Sequence, residues 1–365
     1  MKIFKAAELE ALAARILEAA ARCKLTTRVA LPESRPQVYT VSDAEIVARS
    51  LVLSNLMGHD SHGVLRLPQY VQALKVGLVA PQAQSRMLEE TPSLALLDGG
   101  WGFGQVVAER AINLAIAKAK EGGVGAVGVR NSYHLGQLGQ YPLLAAQQDM
   151  IGFGVVNNHG AGMWMSPPGG YGRVLSPNPI SFAAPVAGRP PLLLDMTCTT
   201  LAEGKIQVLR NKGLPIPEGC AQDAQGNPIA DAQRFYGPPA GSILPFGGPF
   251  AYKAFGLGLM VEALAGALTG AGCSKNVDGR LGNAYFLLAL DIARFCPPEQ
   301  FKAEMAALVE HVKRTPRQPG VEEMLIPGEP EFRTREKRQA EGIPLDETTW
   351  QQLQQLAQDL EVTLS

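Results

Sequence analysis

The alternation of strand-like and helix-like runs from Ser93 to Asn157 constrains this chain more than any other feature. Ser93–Asp98 is a short apolar run ending in Gly99-Gly100. Residues 104–121 carry a helical apolar period, 124–130 read as a strand, 138–149 as a helix and 151–157 as a strand. Three more apolar strands follow, at Ile180–Val186, Pro191–Met196 and Ala284–Ile292. Taken alone, such a β-α-β-α-β order predicts parallel neighbours.

A literal G-x-G-x-x-G lies inside this region, at Gly123–Gly128. A dinucleotide fingerprint must follow a strand and open a helix. This one closes helix 104–121 and feeds strand 124–130, so Gly122 and Gly123 read as a helix stop. Any dinucleotide binds without a Rossmann fingerprint. Helical segments occupy both ends: 6–22, 43–57 and 62–76 before the strands, and 298–314, 330–341 and 346–361 after them. Ser42 with Glu45 reads as a capping box for the second of these. A helix near 200–212 and a buried apolar helix at 253–269 fall between strands, and loops cover 24–40 and 158–172. The expectation is an α/β (α+β) chain. A sheet domain spans 91–292, and a helical domain is assembled from 1–90 and 293–365.

Bulk properties exclude several partners. With 33 basic against 34 acidic residues the net charge is −1, which gives no electrostatic footprint for nucleic acid or an anionic membrane. The five cysteines (Cys23, Cys198, Cys220, Cys273 and Cys296) are scattered and form no C-x-x-C, a pattern of reduced thiols in the cytoplasm. The N-terminal stretch passes straight into a charged amphipathic helix and reads as no signal peptide. The apolar run 254–269, broken by Glu262, is too short and glycine-rich to read as a membrane span.

Two of the five histidines sit three residues apart in Gly58-His59-Asp60-Ser61-His62-Gly63-Val64-Leu65-Arg66-Leu67-Pro68-Gln69-Tyr70. If a helix starts near His62, then His62, Arg66 and Tyr70 share one face. An imidazole, a guanidinium and a phenol on one stripe suit a small carboxylate with a titratable oxygen. Pro68 fits only the first turn of a helix. Ser61 and His62 are adjacent and diverge in helical geometry, so Ser61 reads as a hydrogen-bonding group rather than a nucleophile. His134 follows strand 124–130 in a glycine-bearing loop, where α/β sheets place functional groups. His159 and Asn158 lie in a second such loop. Asp195 ends a buried strand and needs partners, either as a helix cap or as the orienter of a histidine. Lys253 is a candidate phosphate contact. The turn Ile326-Pro327-Gly328-Glu329-Pro330 can offer backbone amides to an anion or ribose.

The stretches GHDSHGVLRLPQY (58–70), GFGQVVAERA (102–111), VRNSYHLGQLGQY (129–141), PLLLDMTCTTLAEGK (191–205), YKAFGLGLMVEALAGALTG (252–270) and IPGEPE (326–331) together resemble the type-2 malate/L-lactate dehydrogenase family. The C-terminal segment is most similar to its hydroxycarboxylate dehydrogenase branch. The resemblance implies a homodimer with a largely antiparallel, non-Rossmann nucleotide-binding sheet, which overrides the parallel expectation. It implies NAD(P)-dependent reduction of a 2-oxo acid or cyclic imine, or the reverse. Ser61, His62 and Asp195 would form a relay, His134 would lie in the substrate site, and Arg66 and Tyr70 would face the substrate carboxylate or cofactor. The cofactor would lie along Asn158, Asp195, Met196, Thr197, Lys253, Gly328 and Glu329. NAD is preferred over NADP, since no arginine dedicated to a 2′-phosphate is identifiable. Two departures touch the cleft: Ser176-Pro177-Asn178-Pro179 in place of the usual G-T-N-P, and an apparent insertion at Pro249-Phe250-Ala251. Two other classes stay open: a metal-dependent hydrolase or lyase using His59, Asp60 and His62, and a non-catalytic ligand-binding member. No resident metal is expected.

Overall fold

The computed structural model describes residues 2–22, 41–81, 83–159, 162–275 and 280–364. The loop expected at 24–40 and the side chain of Ser42 lie outside the described residues. The chain opens with β1 (Lys2–Phe4), α1 (Ala6–Arg22), α2 (Val41–Leu56) and α3 (Leu67–Lys75). Then come β2 (Arg86–Glu90), β3 (Leu94–Asp98), α4 (Gly104–Gly122), β4 (Val124–Ser132), α5 (Gln140–Ala146) and β5 (Met150–His159). The next group is β6 (Ile180–Ala184), β7 (Leu192–Met196), α6 (Glu203–Asn211), β8 (Ala221–Gln222), β9 (Ser242–Ile243) and α7 (Ala251–Val261). Last are β10 (Gly282–Asp291), α8 (Pro298–Lys313), α9 (Glu329–Glu341), β11 (Ile343–Leu345) and α10 (Glu347–Asp359).

The main sheet has the order β2-β3-β4-β10-β5-β6-β7. Only β3 and β4 pair in parallel, and every other neighbouring pair is antiparallel. The local β-α-β reading is therefore correct at β3-α4-β4. It fails one strand later, because β10 inserts antiparallel between β4 and β5. The reason lies in β10 itself: Ala284, Tyr285, Leu287 and Ala289 are fully buried, so this strand must sit at the centre of a covered sheet.

Helix α4 covers one face, packing Ala108, Ala111, Ile112 and Ala115 against Leu97, Val127, Val129 and Leu287. The misplaced glycine fingerprint is explained here. Gly123 ends α4 at φ +83°, donating to the Ala119 carbonyl at 2.7 Å. A side chain on Gly125 would place its Cβ 1.9 Å from the Ala115 carbonyl oxygen. These glycines serve helix termination and close helix–strand packing, not phosphate binding.

The two ends of the chain share one core. Leu9, Leu12, Ile16 and Leu17 of α1 pack with Val47, Leu51, Tyr70 and Leu74, and with Ile343, Trp350 and Leu353 from the C-terminal segment. β1 pairs antiparallel with β11, and the Phe4 and Trp350 rings lie 4.9 Å apart.

Helix α7 departs from the buried helix expected at 253–269. It runs to Val261 and continues as a π-helical turn over Glu262–Ala267. Ala254, Gly258 and Val261 face the protein, whereas Tyr252, Met260 and Leu268 are 59%, 58% and 63% exposed. The composition is apolar as expected, but among the described residues nothing covers one face of this helix.

Candidate active site

Local sequence dictates how the histidine turn folds. Asp60–His62 and Val64–Arg66 are two successive 3-10 turns, closed by Gly63 N–H to Asp60 and Arg66 N–H to Gly63 at 3.0 Å each. Pro68 then sits in the first turn of α3. The single helical stripe expected from His62 to Tyr70 is therefore not formed. A 3-10 turn advances by 3.0 residues rather than 3.6, which rotates Tyr70 away from the other two.

A cavity of about 690 Å³ lies where this turn meets the ends of β4, β5 and β7 and the start of α6. Its wall includes His59, Ser61, His62, Arg66 and His134, with Asn158, Asp195, Met196 and Thr197 further along. Tyr70 does not line it. Fully buried behind His134, its hydroxyl lies 2.7 Å from His134 Nδ1 and accepts from Gln105 Nε2 at 2.7 Å. The expectation that Tyr70 faces substrate is corrected accordingly.

The rings of His62 and His134 stack at 5.6 Å with an interplanar angle of 18°. Ser61 Oγ lies 3.1 Å from His62 Nδ1, a contact the tight 3-10 turn permits although helical geometry would not. Asp195 is placed differently from the relay implied by resemblance. Its carboxylate accepts from the Gly139 N–H at 2.8 Å, and of the histidines it is His59, not His62, that acts on it electrostatically. His62 Nδ1 is thus occupied by serine rather than by a carboxylate.

Arg66 is aimed by three partners. Its Nε donates to the Ser61 carbonyl at 2.7 Å, one terminal nitrogen donates to Gln69 Oε1 at 2.9 Å, and the other is 3.8 Å from Glu203. Gly204 is required for that approach: a Cβ there would lie 2.6 Å from the guanidinium and 2.9 Å from Ser61 Cβ. Glu203, Lys205 and Gln69 line the cavity and went unassigned in the sequence. Their one signal was Gly204 between two charges, inside a stretch already carrying the resemblance.

Burial and neighbouring cations set the charge state. Burial, then His134, Arg66, His59 and Lys205, hold His62 well below the usual histidine value. Burial and Arg66 bring His134 down to about 3. Burial raises Asp195 from its ordinary value, partly offset by His59 and the Gly139 N–H. Near neutral pH both rings are neutral, so each imidazole holds one donor and one acceptor nitrogen.

The cavity lies in the upper part of the ~300–1,000 Å³ range of ligand pockets, so it has room for more than a small acid. Asn158, Ser176, Thr197, Thr199 and Thr200 give it hydrogen-bonding groups, and Val156, Pro177, Pro179 and Met196 an apolar wall. A nicotinamide nucleotide needs both, and these residues fit it. Lys253, Gly328 and Glu329 do not reach the cavity. Lys253 is exposed, its ammonium 5.3 Å from the Phe250 ring centre. Gly328 packs on Leu193, and Glu329 accepts from the Ile326 N–H and pairs with Lys313 at 2.8 Å. Both shape the turn before α9, which supports β7 from behind.

Comparison with known proteins gives the family. The family model described as malate/L-lactate dehydrogenase matches residues 37–354. The malate dehydrogenase of Pyrococcus abyssi is 38% identical over 342 residues, 92% of this chain and 91% of that one. The L-sulfolactate dehydrogenase of Methanocaldococcus jannaschii is 39% identical over 324 residues, 87% and 90% of the two chains. The solved malate dehydrogenase of Pyrococcus horikoshii superposes with a TM-score of 0.84 at 33% identity, covering 99% of this chain and 96% of its own. The chain belongs to the malate/L-lactate dehydrogenase family.

Proposed function

We propose that this protein interconverts a small 2-hydroxy acid and its 2-oxo acid, with NAD as the hydride partner. The observation that carries the reading is the convergence of His62, His134 and Arg66 on one cavity. Arg66 holds the substrate carboxylate, its fork already aimed by Ser61 and Gln69. In the oxidising direction the C2 hydroxyl proton passes to neutral His62, which its surroundings keep in the base form. Ser61, on Nδ1, fixes the ring so that Nε2 receives that proton. In reduction the same nitrogen returns it, once the substrate carboxylate has offset the Arg66 charge that opposes protonation. His134 grips a substrate oxygen.

A bound nicotinamide would supply or accept the hydride. Asn158, Asp195, Met196 and Thr197 are the residues to hold it. NAD is favoured because, among the described residues, the lysine and arginine on the cavity wall are Lys205 and Arg66, and both act on His62 rather than on a separate 2′-phosphate position. The scattered thiols support a cytoplasmic enzyme, and the uncovered face of α7 supports a homodimer.

The test is consumption of NADH and NADPH with a panel of 2-oxo acids (pyruvate, oxaloacetate, a sulfonated 2-oxo acid) and one cyclic imine carboxylate. NADH oxidation by at least one 2-oxo acid is expected. Turnover of the imine alone, or of nothing in the panel, would overturn the proposal.

A further inference from the structure

His134 has one ring nitrogen on the cavity side and one facing a buried chain of hydrogen bonds. That chain starts at Gln105, in the first turn of α4 and 1% exposed. Gln105 Nε2 donates to the Tyr70 hydroxyl at 2.7 Å, and the same hydroxyl lies 2.7 Å from His134 Nδ1. A phenol carries one proton. With Gln105 donating on one side of the Tyr70 oxygen, the arrangement that leaves no proton of the buried phenol unpaired has it donate to His134 Nδ1. Nδ1 is then a bare acceptor, and the proton of the neutral ring sits on Nε2.

The spacing of the three groups is built into the backbone. Gly104 presses the start of α4 against the histidine loop, so that a Cβ there would lie 2.3 Å from the Tyr133 carbonyl oxygen and 2.6 Å from that of His134. Tyr70 is enclosed by Phe103 and Tyr133, with ring centres 6.1 and 5.7 Å away. On its other side the His134 ring meets His62.

We infer that Gln105 is a positioning residue which, through Tyr70, locks His134 as the Nε2–H tautomer and so gives the substrate site a fixed hydrogen-bond donor. A neutral imidazole held this way can bind a carbonyl or carboxylate oxygen without competing with His62 for the transferred proton. The identity of that oxygen rests on the dehydrogenase reading; the tautomer does not.

The experiment is 15N NMR of imidazole-labelled protein, with His134 assigned by its loss in His134→Ala, alongside steady-state kinetics. The wild-type protein is expected to show a protonated Nε2 and a bare Nδ1. Gln105→Glu replaces the donor by an acceptor, turns the Tyr70 proton away from His134 and swaps the two shifts. Tyr70→Phe removes the constraint and yields a tautomer mixture. Gln105→Glu should raise KM for the 2-oxo acid about tenfold or more, the size expected for a lost bond to a charged group, and Tyr70→Phe by less, in proportion to the share of rings that lose the Nε2 proton. Nucleotide affinity should stay unchanged, an outcome a general loss of structure would not give. A wild-type ring protonated on Nδ1, or shifts that neither variant moves, overturns the relay. If neither variant folds, the wild-type spectrum alone decides. An Nε2–H ring in a protein that turns over no 2-oxo acid sinks the functional reading and leaves the relay standing.

Discussion

At the scale of single residues, the two stacked histidines divide one reaction between them, and their different second partners are the reason. His62 has a serine on Nδ1 and the cations Arg66 and Lys205 acting on it, whereas His134 has a buried phenol. The ring that must change its charge has the softer partner, and the ring that must stay neutral has the fixed one. His62→Ala is therefore expected to lose on the order of 10²–10⁴-fold in kcat, the usual effect of removing a general acid/base, with nucleotide binding intact. His134→Ala should mainly raise KM for the 2-oxo acid. Steady-state kinetics and direct nucleotide titration of both variants check the pair. If His134→Ala abolishes turnover while His62→Ala keeps more than about a tenth of it, the roles are reversed.

At the scale of elements, what could be read in the sequence was periodic, and what could not was set by distant partners. The apolar runs located β3 to β7, β10 and the terminal helices to within a few residues, because each carries its own period. The short strands β1 and β11 went unread: three residues have no period, and they exist only by pairing with each other. The position of β10 between β4 and β5 was hidden for the same reason. Within the site, His62, Arg66 and His134 were legible as residue types in glycine-bearing loops. Tyr70's place behind His134 was not, since it follows from two 3-10 turns no helical template anticipates. The same limit hid the role of α9. Arg338 makes a two-pronged pair with Asp60, at 2.6 and 3.0 Å, and also donates to the Asn55 carbonyl. Asn55 in turn donates to Asp60 at 2.7 Å and accepts from the Val64 N–H at 2.9 Å. One C-terminal arginine thus clamps both ends of the histidine turn. Arg338→Met is expected to lower Tm and kcat together, and Arg338→Lys to recover only part of each, since an ammonium cannot replace the fork. Melting curves and kinetics that match wild type in Arg338→Met would show the clamp to be idle.

At the scale of the whole molecule, the exposed apolar face of α7 calls for a partner. Gly248–Ala267 is apolar, yet only about a third of it is buried. Leu257, Met260, Ala263, Ala267 and Leu268 are exposed, whereas Leu264 packs into the core beside Phe153 and Phe286. A lipid environment is a poor match for this segment. Glu262 sits within it, and its carboxylate accepts from Asn157, Asn178 and Ser274, which ties the helix to β5 and the cavity-lining loop. A second copy of the chain presenting the same residues is the occupant that suits a single apolar face, because a twofold interface is self-complementary. Net charge of −1 leaves little long-range repulsion between copies. The wild-type protein is accordingly expected to sediment as a dimer. Met260→Glu, which places charges against each other or against an apolar face, should shift it to monomer at micromolar concentration. Analytical ultracentrifugation measures both. A wild-type monomer, or a Met260→Glu variant that stays fully dimeric, would assign this face to something other than a second copy.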